Sequence, residues 1–233
     1  MKKLIIGNWK ANKSLAQAQT WLETVSISSN RLDLSNITPI LAPAFSLLDS
    51  MRPVTTELNW QLAAQDLSPF PAGSYTGAIS AINLKSLSVS YVLVGHSERR
   101  QYFKETSQEV ATKAELALEA GITPIVCVSN LTLAEQASAF DVSLAKRCII
   151  AYEPLEAIGT GNEASLGSVK EFKNKVKLLF GEVPFLYGGS VDELNVGEYL
   201  LVTDGALVGT ASLKAEQFIN LLKTAQGDKP AVT

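Results

Sequence analysis

The chain has one histidine and two cysteines among 233 residues, too few to build a histidine-rich metal centre or a disulfide framework. No Cys-x-x-Cys or His-x-x-x-His spacing occurs, and one imidazole falls short of the nitrogen ligands that a catalytic zinc site takes. Cys127 and Cys148 each sit in or beside an apolar run, the setting of a reduced core thiol in an intracellular protein. Long apolar runs are also missing. None reaches the roughly 18 residues of a membrane-spanning helix, and Gly7-Asn8 interrupts the only apolar stretch near Met1 before it resembles a signal segment. The expectation is a soluble, cytoplasmic protein with no membrane partner. Positive charge is scarce as well: 20 Lys and Arg stand against 23 Asp and Glu, and the pI is near 5.3. A nucleic-acid partner is therefore not expected, because its basic footprint would show in these totals. A phosphorylated small molecule stays open, since one lysine and a few backbone N–H groups can hold it.

Apolar residues are plentiful, at 46% against 18% charged, enough for a large core. They fall into eight short runs: 4–6, 37–42, 61–64, 91–94, 123–128, 149–152, 184–187 and 205–208. The runs are nearly continuous rather than alternating, as strands covered on both faces are. Helical patterns separate them. Ser14 with Gln17 and Thr106 with Glu109 form capping boxes. Leu15, Ala18, Leu22 and Val25 predict one helical face, and Phe172, Val176 and Leu179 another. Strand and helix alternating eight times predict an α/β fold with a parallel sheet closed into a single (β/α)8 barrel spanning residues 1–233. An open doubly wound sheet is the alternative. No Gly-x-Gly-x-x-Gly follows the first run, which counts against dinucleotide binding. Residues 66–81 carry no helical period, and a loop that long is usually functional or an interface. The stretch between Cys127 and Ile149 has room for one short helix near 133–140.

In such a barrel the strand C-termini form the active rim. The polar residues there are Asn8 and Lys10 after the first strand, His96 and Glu98 after the fourth, and Glu153 after the sixth. An imidazole and a carboxylate over one pocket suit proton transfer on a small substrate. Gly188-Gly189-Ser190-Val191 and Gly209-Thr210-Ala211-Ser212 follow the seventh and eighth strands. Both are expected to open helices, whose free N–H groups would bind an anion. Singly, each feature has a plainer reading: a sharp corner for the glycines, a solvated surface lysine, a structural histidine, a turn-capping Glu153, a surface cluster at Glu98-Arg99-Arg100. Their joint placement on one rim favours the functional reading.

The strings Gly-Asn-Trp-Lys (7–10), Gly-His-Ser-Glu-Arg-Arg (95–100), Tyr-Glu-Pro (152–154), Ala-Ile-Gly-Thr-Gly (157–161), Tyr-Gly-Gly-Ser-Val (187–191) and Asp-Gly-Ala-Leu-Val-Gly (204–209) resemble the triosephosphate isomerase family. They run in order over essentially the whole chain, and the six together are specific where one alone would not be. The resemblance implies a TIM barrel that interconverts dihydroxyacetone phosphate and glyceraldehyde 3-phosphate, in glycolysis and gluconeogenesis, with no metal or organic cofactor. It implies that Glu153 is the base and His96 the neutral electrophile and proton shuttle. Asn8 and Lys10 would orient the substrate and stabilise charge, and Glu98 belongs to the same catalytic group. Gly159, Gly188, Gly189, Ser190, Gly209 and Thr210 would line the phosphate, and residues 154–163 would form a closing lid. A homodimer through loop 66–81 is implied too, with Thr76 supporting the neighbouring site.

The chain departs from the family pattern at several positions. Glu156 stands where a hinge tryptophan is usual, Ala78 where a glutamate follows Thr-Gly, and Thr210 where a second glycine closes the last phosphate loop. Val128-Ser129-Asn130 replaces the usual Ile/Val-Gly-Glu, and the segment after it is short. No catalytic side chain is lost. Other phosphate-binding barrels, such as an aldolase, compete with the isomerase reading, but no strand supplies the inner lysine of a Schiff-base aldolase. A catalytically dead barrel is the third possibility, and retention of Asn8, Lys10, His96 and Glu153 together argues against it.

Overall fold

The computed structural model describes residues 2–29, 32–155 and 163–227. Strands β1 (Lys3–Asn8), β2 (Ile37–Ala42), β3 (Gln61–Ala64), β4 (Tyr91–Val94), β5 (Thr123–Val128), β6 (Ile149–Tyr152), β7 (Phe185–Tyr187) and β8 (Gly205–Val208) pair in parallel, each with the next. β8 returns to β1 to close the barrel. The eight sequence-predicted runs are these eight strands, and the open-sheet alternative falls.

Side chains alternate across each strand, and the barrel uses that alternation to separate two cores. Leu4 and Ile6, Ile40 and Ala42, Ala63, Leu93, Ile125 and Cys127, Ile149 and Ala151, Leu186 and Leu207 pack together inside. Their sequence neighbours, such as Ile5, Leu41, Val92, Val126 and Ile150, face the helices. At the closing seam Gly205 lies against the backbone of Leu4, where any Cβ would collide. Continued past the strand ends, the inward phase predicts which residues cap the barrel: Asn8 from β1, Gln65 from β3, Glu153 from β6, Gly188 from β7 and Gly209 from β8.

The outer layer comprises α1 (Leu15–Ser29), α2 (Leu48–Glu57), α3 (Ala81–Ser86), α4 (Ser97–Tyr102), α5 (Ser107–Glu119), α6 (Leu133–Ala139), α7 (Val142–Ala145), α8 (Leu166–Phe180), α9 (Val196–Leu200) and α10 (Ala215–Gln226). Both expected capping boxes form, at Ser14–Gln17 and Thr106–Glu109. Two predicted faces are rotated. In α1 the exposed Leu15 gives way to Trp21, which packs edge-on against Trp9 and Trp60. In α8 the exposed Leu179 gives way to Val169 and Phe180. Between Cys127 and Ile149 the chain fits α6 and the one-turn α7 rather than a single helix. Residues 66–80 contain no helix or strand, as expected. Both cysteines are buried and unpaired. Among the described residues no helix is long and apolar enough to cross a membrane.

Candidate active site

A cavity of about 370 Å³ opens at the C-terminal rim of the barrel. Its lining includes Asn8, Lys10, His96 and Glu153 together with Gly188, Gly189, Ser190, Gly209 and Thr210. A larger groove of about 760 Å³ runs between α1 and α10. It holds no histidine or paired carboxylates, so the rim cavity is the candidate.

Glu153 extends β6 by one residue, its N–H donating to the Val128 carbonyl at 2.8 Å. The side chain is almost completely buried and fully hydrogen-bonded. Its carboxylate accepts from the Ser97 N–H at 2.9 Å and the Ser97 hydroxyl at 3.2 Å, and lies 2.9 Å from His96 Nε2. Burial alone would raise its pKa; the His96 and Ser97 interactions prevail, and the pKa lies below the ordinary value.

His96 lies outside the inward phase of β4 and reaches the pocket because Gly95 turns the chain at φ +71°. That left-handed conformation suits glycine, and a side chain there would also press on Arg100 and Val110. The imidazole caps α4: Nδ1 accepts from the Glu98 N–H at 3.3 Å. In the neutral ring the proton therefore sits on Nε2, the nitrogen that faces Glu153. Burial lowers the His96 pKa, but the Glu153 carboxylate outweighs it, and the net shift is upward.

Lys10 has a left-handed backbone, φ +52°, unusual for a residue with a Cβ. Two side chains hold it there. Asn8 Oδ1 accepts the Lys10 N–H at 3.0 Å, and Gln65 Nε2 donates to the Lys10 carbonyl at 2.9 Å and the Ala42 carbonyl at 2.8 Å. The Asn8 amino group has no protein acceptor among the described residues. Lys10 Nζ meets Glu98 Oε1 at 2.5 Å, so Glu98 joins the site through the lysine rather than through Glu153. The Lys10 stem passes 3.9 Å from where a Gly209 side chain would begin, beside the loop that follows β8.

Those loops differ from expectation. Neither opens a regular helix directly: Gly209 precedes a three-residue 3-10 turn, Thr210–Ser212, and Gly188-Gly189-Ser190 is separated from the five-residue α9 by a turn. Neither loop therefore gains the dipole of a regular helix. What remains is close backbone approach. A Cβ at Gly188 would press on the Tyr152 carbonyl, and one at Gly189 would strike the Tyr187 hydroxyl. Gly159, Glu156 and most of segment 154–163 lie outside the described residues.

The structure thus brings together every sequence-predicted site residue that it describes. Sequence reasoning missed Ser97, Gln65 and Asn195, the last of which also lines the cavity. Ser97 was legible as a hydroxyl beside the only histidine, and Gln65 as a polar residue directly after a strand end. Asn195 had no such signal, because it lies beyond the recognised string at 187–191. Among the described residues no group of three or more His, Cys, Asp or Glu side chains could hold a metal ion.

Residues 3–225 match the family model described as triosephosphate isomerase. Among similar curated proteins, the triosephosphate isomerase of Dehalococcoides mccartyi strain CBDB1 is 39% identical, covering 97% of each chain. That of Mesomycoplasma hyorhinis is 40% identical over 95% of this chain and 98% of its own. The Paracidovorax citrulli protein of the same name is 38% identical over 96% and 98%.

Proposed function

The chain belongs to the triosephosphate isomerase family, and from that premise we propose that this isomerase interconverts dihydroxyacetone phosphate and D-glyceraldehyde 3-phosphate at the rim cavity. The observation that carries the reading is the 2.9 Å approach of His96 Nε2 to Glu153 Oε1, with the glycine loops lining the same cavity. A buried carboxylate with lowered pKa is ionised at neutral pH and can take a proton from the carbon next to a carbonyl. To reach it, the carboxylate must leave the Ser97 N–H. The charge then moves onto the carbonyl oxygen as an enediolate. The His96 Nε2–H, the Asn8 amino group and Lys10 Nζ are the donors available to that oxygen. Returning the proton to the neighbouring carbon, with a proton passed between the two oxygens by His96, completes the exchange with no net gain or loss of atoms. The phosphate would lie against the backbone of Gly188–Ser190 and Gly209–Thr210 beside Lys10. Residues 154–163 are proposed to close over the bound substrate, shielding an intermediate that could otherwise eliminate phosphate.

The proposed assembly is a homodimer through loop 66–81, in the cytoplasm. Phe70 and Tyr75 stack at 4.6 Å yet remain 49% and 43% exposed, and an exposed apolar projection of this kind suits an interface. The deciding experiment is a coupled assay of glyceraldehyde 3-phosphate isomerisation with the purified chain and its Glu153→Gln variant. Turnover in the first and its loss in the second is the expected result. Absence of turnover by the unaltered chain would overturn the reading.

A further inference from the structure

We propose that Asn195 is the positioning residue of the anion subsite, fixing the Ser190 loop to the segment that enters α8. The inference deepens the reading above and rests on it. Three bonds leave its carboxamide: Nδ2 donates to the Ser190 carbonyl at 3.0 Å and to Glu163 Oε2 at 2.6 Å, and Oδ1 accepts the Asp192 N–H at 3.0 Å. The backbone answers in kind. Asp192 Oδ1 accepts the Asn195 N–H at 3.2 Å and the Leu194 N–H at 2.8 Å. One side chain therefore ties together positions 163, 190 and 192.

The anion loop needs such a tie. Gly188 and Gly189 bring no side chain of their own to restrain it, and no regular helix begins there. A trans peptide sets its carbonyl and the following N–H in opposite directions in one plane. Bonding the Ser190 carbonyl therefore fixes where the Val191 N–H points, and limits rotation of the loop that would bind phosphate. Glu163 is anchored for the same purpose. Its neighbour Ala164 donates its N–H to the Tyr187 hydroxyl at 3.0 Å and accepts from the Tyr199 hydroxyl at 2.7 Å. Asn195 is the third link in that docking.

The chemistry at this position is specific to a neutral amide. Asn195 stands between two carboxylates, Asp192 and Glu163, and only an amide can donate to Glu163 and Ser190 while accepting from Asp192. An aspartate would lose both donors and bring like charges together beside an anion site.

The test titrates inorganic phosphate by calorimetry into the full chain and into Asn195→Asp, Asn195→Ala, Glu163→Gln and the Asn195→Asp/Glu163→Gln pair, with circular dichroism as the folding check. Loss of both donors together with a like charge beside the subsite predicts a phosphate Kd raised about tenfold or more in Asn195→Asp. The uncharged Asn195→Ala should weaken binding by about fivefold or more, which keeps the test alive if the aspartate variant misfolds. Glu163→Gln alone keeps an acceptor and should stay within about threefold of the unaltered chain. In the pair, the amide introduced at position 163 donates to the carboxylate introduced at position 195, and part of the lost affinity should return. In the isomerase assay the loss should fall on KM rather than kcat. Wild-type affinity in both folded Asn195 variants would overturn the proposal, and absence of rescue in the pair would overturn the Glu163 link. Failure of the unaltered chain to bind phosphate would remove the subsite itself. Phosphate binding without isomerisation would count against the proposed reaction alone, and weakened binding in the Asn195 variants would still support this inference.

Discussion

His96 Nε2 and Glu153 Oε1 lie 2.9 Å apart, although one follows β4 and the other follows β6, two strands away around the barrel. Neither residue has a local reason to meet the other. Glu153 arrives because it continues the inward phase of Ile149 and Ala151, and His96 because Gly95 turns the chain at positive φ. The Ser97 N–H and hydroxyl then hold the carboxylate against the ring.

Glu153→Asp should keep the fold and lose about 10²-fold or more in kcat. Removing one methylene draws the carboxylate back by roughly 1 Å, and displacement of that size can cost about 10²-fold. Steady-state kinetics decide it. Near-normal turnover would remove Glu153 from the role of base.

The only histidine in the chain can be titrated by NMR without ambiguity. Its pKa should lie above the ordinary 6.5 in the unaltered chain and fall in Glu153→Gln, where burial acts against Glu98 alone. The stability consequence has two edges. A raised His96 pKa stabilises the fold fully below about 6.5 and is lost as pH rises through the folded value. A lowered Glu153 pKa stabilises above the ordinary 4.5 and is lost as pH falls through its folded value. The Tm difference between the unaltered chain and Glu153→Gln should therefore peak between those limits. A difference that does not vary with pH would contradict the coupling.

Lys113 is buried between Asp66, at 2.7 Å, and Glu105, and Arg99 contacts the same two carboxylates. Glu105 also accepts the Gly95 N–H at 3.0 Å, next to His96. Removing one partner of a buried pair leaves uncompensated charge and costs about 3–5 kcal/mol. Lys113→Ala should lower unfolding free energy by that order in urea titrations. A change under about 1 kcal/mol would mean that the cluster behaves like a surface pair.

Gln65→Leu replaces the two N–H donors that hold the Lys10 and Ala42 carbonyls. The substitution should cost about 1–3 kcal/mol for the unsatisfied partners and raise KM by releasing the left-handed Lys10. In a Lys10→Ala background the same change should leave KM nearly unaltered. Equal KM effects in both backgrounds would show that Gln65 acts on stability only.

Light scattering at micromolar concentration should give twice the 25.0 kDa chain mass. A mass of one chain would exclude the dimer through Phe70 and Tyr75. Asp substitutions at those two residues should shift a dimer toward monomer, because each would place a charge in a desolvated contact.

Strand number, parallel closure and the rim positions of Glu153 and His96 were legible in the sequence because their causes are local and repetitive. A strand covered on both faces must be apolar throughout, as 123–128 and 149–152 are, and a rim residue must follow such a run, as Asn8 and Glu153 do. Helix faces were less secure: a periodic leucine such as Leu15 or Leu179 cannot reveal that a tryptophan or phenylalanine elsewhere on the same helix fills the gap over the sheet. The loops after β7 and β8 show the same limit, since whether a glycine turn enters a helix depends on how far the next element sits from the strand end. Tertiary structure alone decided that Gln65 after β3 would clamp Lys10 after β1, that Lys10 would meet Glu98, and that Asn195 would join Ser190 to Glu163. Each of these contacts brings together segments that local sequence does not pair, and such side chains become neighbours only when the barrel closes and sets the spacing of its rim.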